Sequence, residues 1–236
     1  MHNLLVLMII PLILSLPYWQ QQYKICRWKR LLQINAHLSM MAHLYQDVDG
    51  FAASKRARIK QDAMEYVYGE IELLSFMALL SLIKPDHNTV FYDLGCGSGK
   101  AVFACALVYD VKKSCGIELF AELYELAIQQ KDRLMLLVSD DNNKIYAKKA
   151  STVCFINDNF LQADFNDATL IFINATGFFG ATWEALNLLL SSIKSCQIVI
   201  TTSKKLTIPV FKVMKITIME MSWGLVKVYI HQRVSI

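Results

Sequence analysis

At 236 residues the chain is long enough for one ordinary domain plus an extension, and too short for two full domains. Hydrophobic residues make up 55%, charged residues 19%, and the formal net charge is +4, so the sequence lacks the dense Lys and Arg face of a dedicated nucleic-acid binder. The six cysteines (Cys26, Cys96, Cys105, Cys115, Cys154 and Cys196) contain no C-x-x-C pair and several lie in apolar runs. They read as reduced core thiols, not a disulfide framework or zinc site, and favour a reducing compartment. The five histidines have no HxxxH spacing and add no metal signal.

The first element runs from Leu4 to Trp19, sixteen residues without a charge, and is followed by Lys24, Arg27, Lys29 and Arg30. Extended over residues 1–23 it reaches spanning length, and Tyr18, Trp19 and Trp28 are side chains typical of an interface. The expectation is a single-pass membrane anchor with the basic cluster and the C-terminal domain on the cytoplasmic side. An interfacial helix, a buried helix and a cleaved signal peptide are the alternatives. The last lacks a basic segment ahead of the apolar run.

Residues 24–84 read as a helical extension. It contains helices over Leu31 to Tyr45, Ala52 to Tyr66 and Glu70 to Ile83, the last stopped by Lys84-Pro85-Asp86. Lys55, Arg56, Arg58 and Lys60 form either a solvated face or a contact for acidic headgroups or substrate. Residues 85–236 then alternate between short apolar runs and helical stretches. Strands are expected at Thr89 to Leu94, Ser114 to Leu119, Val153 to Ile156, Thr169 to Asn174 and Cys196 to Thr202. Two more, Ile208 to Met221 and Leu225 to His231, flank Ser222-Trp223-Gly224. Helices are expected at Ala101 to Asp110, from Phe120 to about Ala150 with a polar break at Ser139 to Asn143, and at Ala181 to Ile193. The pattern predicts an α/β fold: a mostly parallel seven-stranded sheet, helices on both faces, and a C-terminal antiparallel hairpin at its edge.

The chemistry concentrates in Asp93-Leu94-Gly95-Cys96-Gly97-Ser98-Gly99-Lys100, where an apolar strand enters alternating glycines and a helix begins. Gly95, Gly97 and Gly99 allow backbone to approach a ligand, and the helix start presents free N–H groups. Glu118 ends the next strand, 25 positions after Asp93, where its carboxylate can accept from both hydroxyls of a ribose. The alternative for Glu118 is a cap on the following helix. Together the two features indicate a nucleoside-bearing cofactor. A P-loop is absent, and NAD is the rival, although Gly-x-Gly-x-Gly preceded by Asp93 suits a methionine-bearing nucleoside better.

These motifs resemble those of class I methyltransferases, and more narrowly the DOT1-like histone and protein-lysine methyltransferases. The resemblance rests on Val67-Tyr68-Gly69-Glu70, the Asp93 to Gly99 turn, Ile171-Phe172-Ile173-Asn174, Thr202-Ser203-Lys204-Lys205-Leu206, and Ser222-Trp223 with Val228-Tyr229-Ile230-His231. More distantly, the apolar N-terminal segment resembles that of membrane-anchored FAM173-type lysine methyltransferases. The resemblance implies a Rossmann-like class I methyltransferase fold, S-adenosyl-L-methionine as cofactor and a protein lysine as acceptor. Tyr68 and Glu70 would lie beside the cofactor and the substrate entrance. Asp93, Gly95, Gly97, Gly99, Glu118, Asn159, Phe160 and Asn174 would bind the cofactor, and Asn174, with Tyr68, would orient the acceptor amine. Phe178, Phe179 and Trp223 would wall a channel, with Ser203 and Lys204 positioning a substrate loop. Asn159 replaces an Asp that would meet the adenine amino group, and Ala175 replaces a second Asn. A lipid-like or quinone-like small-molecule acceptor, and a cofactor-binding scaffold without catalysis, are the competing functions.

Overall fold

In a computed structural model of the chain, the backbone of residues 2–59, 68–138 and 144–234 is described; side chains are described from 17 onward in the first helix and from 146 onward in the helix that starts at 144. Helices α1 (His2–Leu31), α2 (Ile34–Tyr45), α3 (Gly50–Ala57) and α4 (Leu73–Ser81) precede an alternating segment. That segment runs β1 (Val90–Leu94), α5 (Lys100–Val108), β2 (Lys113–Glu118), α6 (Ala121–Leu137), α7 (Lys144–Ser151), β3 (Val153–Asn157), β4 (Leu170–Ile173), α8 (Gly180–Ser192) and β5 (Ile198–Thr202). The hairpin β6 (Phe211–Met221) and β7 (Gly224–Arg233) closes it.

The seven strands form one sheet in the order β3-β2-β1-β4-β5-β7-β6. β1 to β5 are parallel, and β7 inserts antiparallel between β5 and β6. The fold is therefore the Rossmann-like α/β arrangement read from the alternation of strands and helices. The chain winds outward from β1 to β3 and then crosses back to β4, so the sheet has its switch point between β1 and β4. Ligands of such sheets bind beyond the carboxyl ends of the strands at that point. β1 and β4 are buried on both faces, as expected of strands that are apolar throughout except for Asp93 of β1.

The helical extension packs onto this sheet. Phe76 of α4 meets Phe91 of β1 and Phe172 of β4, the latter at a ring distance of 5.0 Å. Met41 and Leu44 of α2 join Val102 and Phe103 of α5 in one buried cluster. α5 is consequently covered on all sides, with every residue from Ala101 to Val108 buried. The expected helix from Leu31 to Tyr45 begins later, because Gln33 adopts φ 48 and breaks it from α1. The expected helix over Ala52 to Tyr66 is seen as α3; its remainder from 60, and the polar break at Ser139 to Asn143, lie outside the described residues.

The membrane reading of the N-terminus is corrected. Among the described residues no helix is long and apolar enough to cross a membrane, which removes the transmembrane helix, the membrane partner and the single-pass localisation expected of residues 1–23. The apolar run does not end in a separate anchor: α1 continues without a break through Lys24, Arg27, Lys29 and Arg30. Its end is tied to the domain by Trp28, whose Nε1 donates to Ser81 Oγ at 2.8 Å. The side chains of Leu4 to Leu16 lie outside the described residues.

Candidate active site

The glycine turn follows β1 directly, and Gly95, Gly97 and Gly99 have φ of 83, 56 and 87. These are left-handed conformations that L side chains rarely adopt. At Gly97 a second constraint applies: a Cβ there would lie 2.6 Å from the Tyr68 ring. The turn is fixed from the neighbouring strand. Glu118 accepts from Gly97 N–H at 2.7 Å through Oε2 and from Phe120 N–H at 2.9 Å through Oε1. The carboxylate thus knits the end of β2 to the glycine turn and to the residue ahead of α6. With about four lone-pair sites, the carboxylate keeps acceptor capacity for a ligand.

Two buried carboxyls share this spot. Asp93 is pushed up to about 8 by burial and by the neighbouring Glu118 charge. Burial also raises Glu118, against the pull of the Phe120, Gly97 and Leu119 backbone N–H groups. A ligand with positive charge would relieve both.

One cleft of about 170 Å³ extends from Gly95 and Glu118 past Leu119, Asn159 and Phe160 to Phe178. Phe160 and Phe178 lie 5.1 Å apart at 60°, an apolar wall suited to the face of a base. Asn159 Oδ1 accepts from Leu161 N–H at 2.9 Å and so braces its own turn. This leaves it one lone pair for an adenine amino group, where an Asp would offer more acceptor capacity. Beyond Gly95 the cleft continues into a smaller hollow around Asp93, Gly97, Glu70 and Lys100. There Lys100 Nζ pairs with Glu70 Oε2 at 2.5 Å, and Tyr68 OH donates to Glu70 Oε1 at 2.8 Å. Burial, reinforced by the Glu70 charge, holds the Tyr68 hydroxyl far above the ordinary tyrosine range, so it stays protonated.

A third, apolar cavity of about 330 Å³ is lined by Phe51, Tyr68, Gly69, Asn174, Thr176, Phe179, Ser222 and Trp223 among others. Tyr68, Gly69 and Asn174 border all three spaces. Trp223 lies flat against the Gly69 backbone, where any side chain would collide with its ring. Asn174 Oδ1 accepts from Thr202 Oγ1 at 2.8 Å, and Thr176 Oγ1 meets Ser203 Oγ at 2.9 Å. Lys204 Nζ donates to Phe178 O and lies 3.4 Å from the Phe179 ring centroid. The β5 end thus clamps the loop after β4.

All ten residues expected at the cofactor and acceptor sites border these connected spaces except Gly99. Gly99 instead starts α5 beside Phe155 and Phe103, so its lack of a side chain serves packing. Val67, at the head of the Tyr68-Gly69-Glu70 segment, lies outside the described residues. Ala175 is fully buried in the core under α8, a place where a second Asn would need a polar partner. His231 is also a core residue: Nε2 accepts from Leu206 N–H at 3.1 Å, and burial lowers its pKa. Sequence reasoning missed Ser54 and Phe51, which α3 brings over the cleft and the cavity, and Lys100 and Ser98 in the hollow. Lys100 was adjacent to the glycine motif, but its partner Glu70 lies thirty positions away.

The sheet order and the turn at the switch point define a Rossmann-like methyltransferase fold. Residues 53–228 match the family model described as histone methylation protein DOT1, and the chain belongs to that family. It is 26% identical over 93 residues to a protein-lysine N-methyltransferase of Saccharolobus islandicus (strain REY15A). That match covers 39% of this chain and 50% of the relative's length. Among solved structures it resembles an RNA methyltransferase from Salinibacter ruber in complex with S-adenosyl-L-homocysteine, with a TM-score of 0.50, 21% identity and coverage of 68% of this chain and 92% of that one. It also resembles a protein of the NADB-Rossmann superfamily from Streptococcus agalactiae, with a TM-score of 0.51, 12% identity and coverage of 71% of each chain. At these identities the likeness is one of fold.

Proposed function

We propose that the chain is an S-adenosyl-L-methionine-dependent methyltransferase acting on a protein lysine. The observation that carries this reading is Asn174, one polar side chain standing where a cofactor-shaped cleft opens into an aromatic cavity. Family membership and the lysine methyltransferase relative support the same substrate class.

The residues present fit the cofactor. Phe160 and Phe178 offer a base wall, Glu118 keeps acceptor capacity for ribose hydroxyls, and Asp93, Glu70 and Lys100 suit a zwitterionic amino-acid end carrying extra positive charge. When bound, this cofactor supplies an electrophilic methyl group on a sulfonium. The protein's part is then orientation and electrostatics. Asn174 Oδ1 spends one lone pair on the Thr202 hydroxyl and has the second for an amine N–H. Held this way, the amine lone pair points toward the cleft, and alignment near 3–3.5 Å supplies much of the acceleration.

Among the described residues, the cavity lining has no Asp, Glu or His side chain, and Tyr68 is held protonated. The lysine must therefore enter uncharged, and the aromatic wall of Phe51, Tyr68, Phe179 and Trp223 favours that form by desolvation. The proton released on transfer leaves to water.

The test is incubation with cofactor labelled on its methyl group and fractionated cell extract, for the wild-type chain and for Asn174→Ala. Label in protein that survives as methyl-lysine, and that falls with the variant, supports the reading. Label only in small molecules would support the second reading, a small apolar acceptor, which the cavity of about 330 Å³ also has room for. Tight cofactor binding without any transfer would favour the non-catalytic scaffold.

A further inference from the structure

Asn174 borders the acceptor cavity, and the group that orients its amide lies behind it. β4 and β5 pair in parallel register up to Ile173 and Thr201, so Asn174 and Thr202 follow side by side at the carboxyl end of the sheet. Thr202 is fully buried, pairs across to Val228 of β7, and borders none of the three spaces of the site. We propose, resting on the reading in which Asn174 meets a lysine amine, that Thr202 is a positioning residue for the transfer. Aligned by Thr176 and Ser203, its hydroxyl holds the Asn174 amide so that Oδ1 keeps a fixed direction toward the amine.

An asparagine amide turns on a broad, roughly two-fold torsion, so its oxygen and nitrogen are held apart only by their partners. The partner here is Thr202 Oγ1, which donates to Asn174 Oδ1 at 2.8 Å. Among the described residues no other group hydrogen-bonds to the Asn174 side chain. Loss of this bond frees the torsion, and the second lone pair of Oδ1 loses its direction. Because Thr202 reaches no part of the cavity, it can act on the acceptor only through Asn174.

Thr202 is itself oriented. Its Oγ1 lies 3.3 Å from Thr176 Oγ1, which lies 2.9 Å from Ser203 Oγ. A hydroxyl carries one hydrogen. Because that of Thr202 goes to Asn174, Thr176 must donate to Thr202, and Thr176 in turn accepts from Ser203. The three hydroxyls thus point one way, from exposed Ser203 to Asn174. Ser203 reaches Thr176 from a left-handed φ of 62, rare for a residue other than glycine. The backbone is pinned there by Ser203 N–H on Lys227 O at 2.7 Å and Lys204 N–H on Thr202 O at 2.6 Å. Strain of this kind persists where the surroundings over-determine it, and it clusters at active sites. Packing does not ask for the hydroxyl: Ile200 and Val228 share the face of Thr202, and valine would fill the same place.

The experiment measures initial rates of methyl-lysine formation with methyl-labelled S-adenosyl-L-methionine and total cell-extract protein as the acceptor. The full chain is compared with Thr202→Val, Thr202→Ser, Thr176→Val, Asn174→Ala and the double variant Asn174→Ala/Thr202→Val. Thr202→Val should lower apparent kcat roughly tenfold, with acceptor KM and cofactor Kd within about twofold, and Thr202→Ser should restore at least about half of the wild-type rate. Thr176→Val, which leaves the Thr202 bond but removes its alignment, should cost about threefold. In the Asn174→Ala background Thr202→Val should cost nothing further, whereas a merely structural threonine would lower both backgrounds alike. If Thr202→Val fails to fold, Thr176→Val in the two backgrounds decides in the same way. A Thr202→Val rate equal to wild type, an equal loss in both backgrounds, or no recovery with serine would overturn the role of Thr202 while leaving that of Asn174. No methyl-lysine with the wild type, or an unchanged rate in Asn174→Ala, would instead overturn the underlying reading and the role of Thr202 with it.

Discussion

The two halves of the candidate active site are built on opposite plans. The cofactor half is polar, buried and braced before any ligand arrives: Glu118 holds Gly97 and Phe120 by their amides, and Asp93 and Glu118 are only 4% and 6% exposed. The acceptor half is aromatic and open, made of Phe51, Phe179 and Trp223 on three separate segments, with Phe179 and Trp223 48% and 45% exposed. Binding a nucleoside needs fixed hydrogen-bond partners, which only short connections at strand ends can place. The proposed lysine acceptor would need apolar walls that exclude water, which loops and a distant helix can supply together.

The sharpest break of this contrast is Gly97→Asp. It forces an L residue to φ 56, drives a Cβ toward Tyr68 and sets a charge beside Glu118. Cofactor binding measured by calorimetry should disappear; unchanged affinity would remove the turn from the site. Asn174→Ala should divide the halves differently, lowering kcat roughly 100-fold by loss of alignment while cofactor Kd stays within about threefold. A rate constant equal to wild type at saturating acceptor would end its positioning role.

Trp223→Ala should leave cofactor affinity alone and raise the acceptor KM roughly tenfold, since one wall of the apolar cavity is lost. Equal weakening of cofactor and acceptor would mean that the two halves are not independent. The smallest effect concerns pH. Because Asp93 is raised from 3.8 to about 8 in the folded chain, its favourable contribution is complete below about pH 4 and is lost as pH rises through 8. Melting temperature of the ligand-free chain should fall from pH 5 to 8.5, and less steeply in Asp93→Asn. Parallel wild-type and variant curves would show that the buried acid is not the cause.

The glycine turn, the Glu118 strand end and Asn174 were legible in the sequence because each sits within a few positions of a strand whose apolar run is unmistakable. The same local reading misjudged Gly99, whose place against Phe155 depends on β3, more than fifty positions later. It also missed Lys100, because nothing near it in sequence indicates its ion pair with Glu70. α3 looked like a basic surface helix from Lys55, Arg56 and Arg58, while its buried face sends Ser54 to the cofactor cleft.

The N-terminus carries the same lesson. Hydropathy alone suggested an anchor over residues 1–23, yet α1 runs unbroken through four basic residues to Leu31 and is pinned by Trp28 to Ser81. Sequence by itself determined the alternation of strands and helices and the glycine turn at the end of β1, because side-chain period and glycine placement are local properties. Only the tertiary structure decided which distant segments wall the acceptor cavity and how α2 meets α5, because those contacts depend on packing between parts of the chain that no short pattern links.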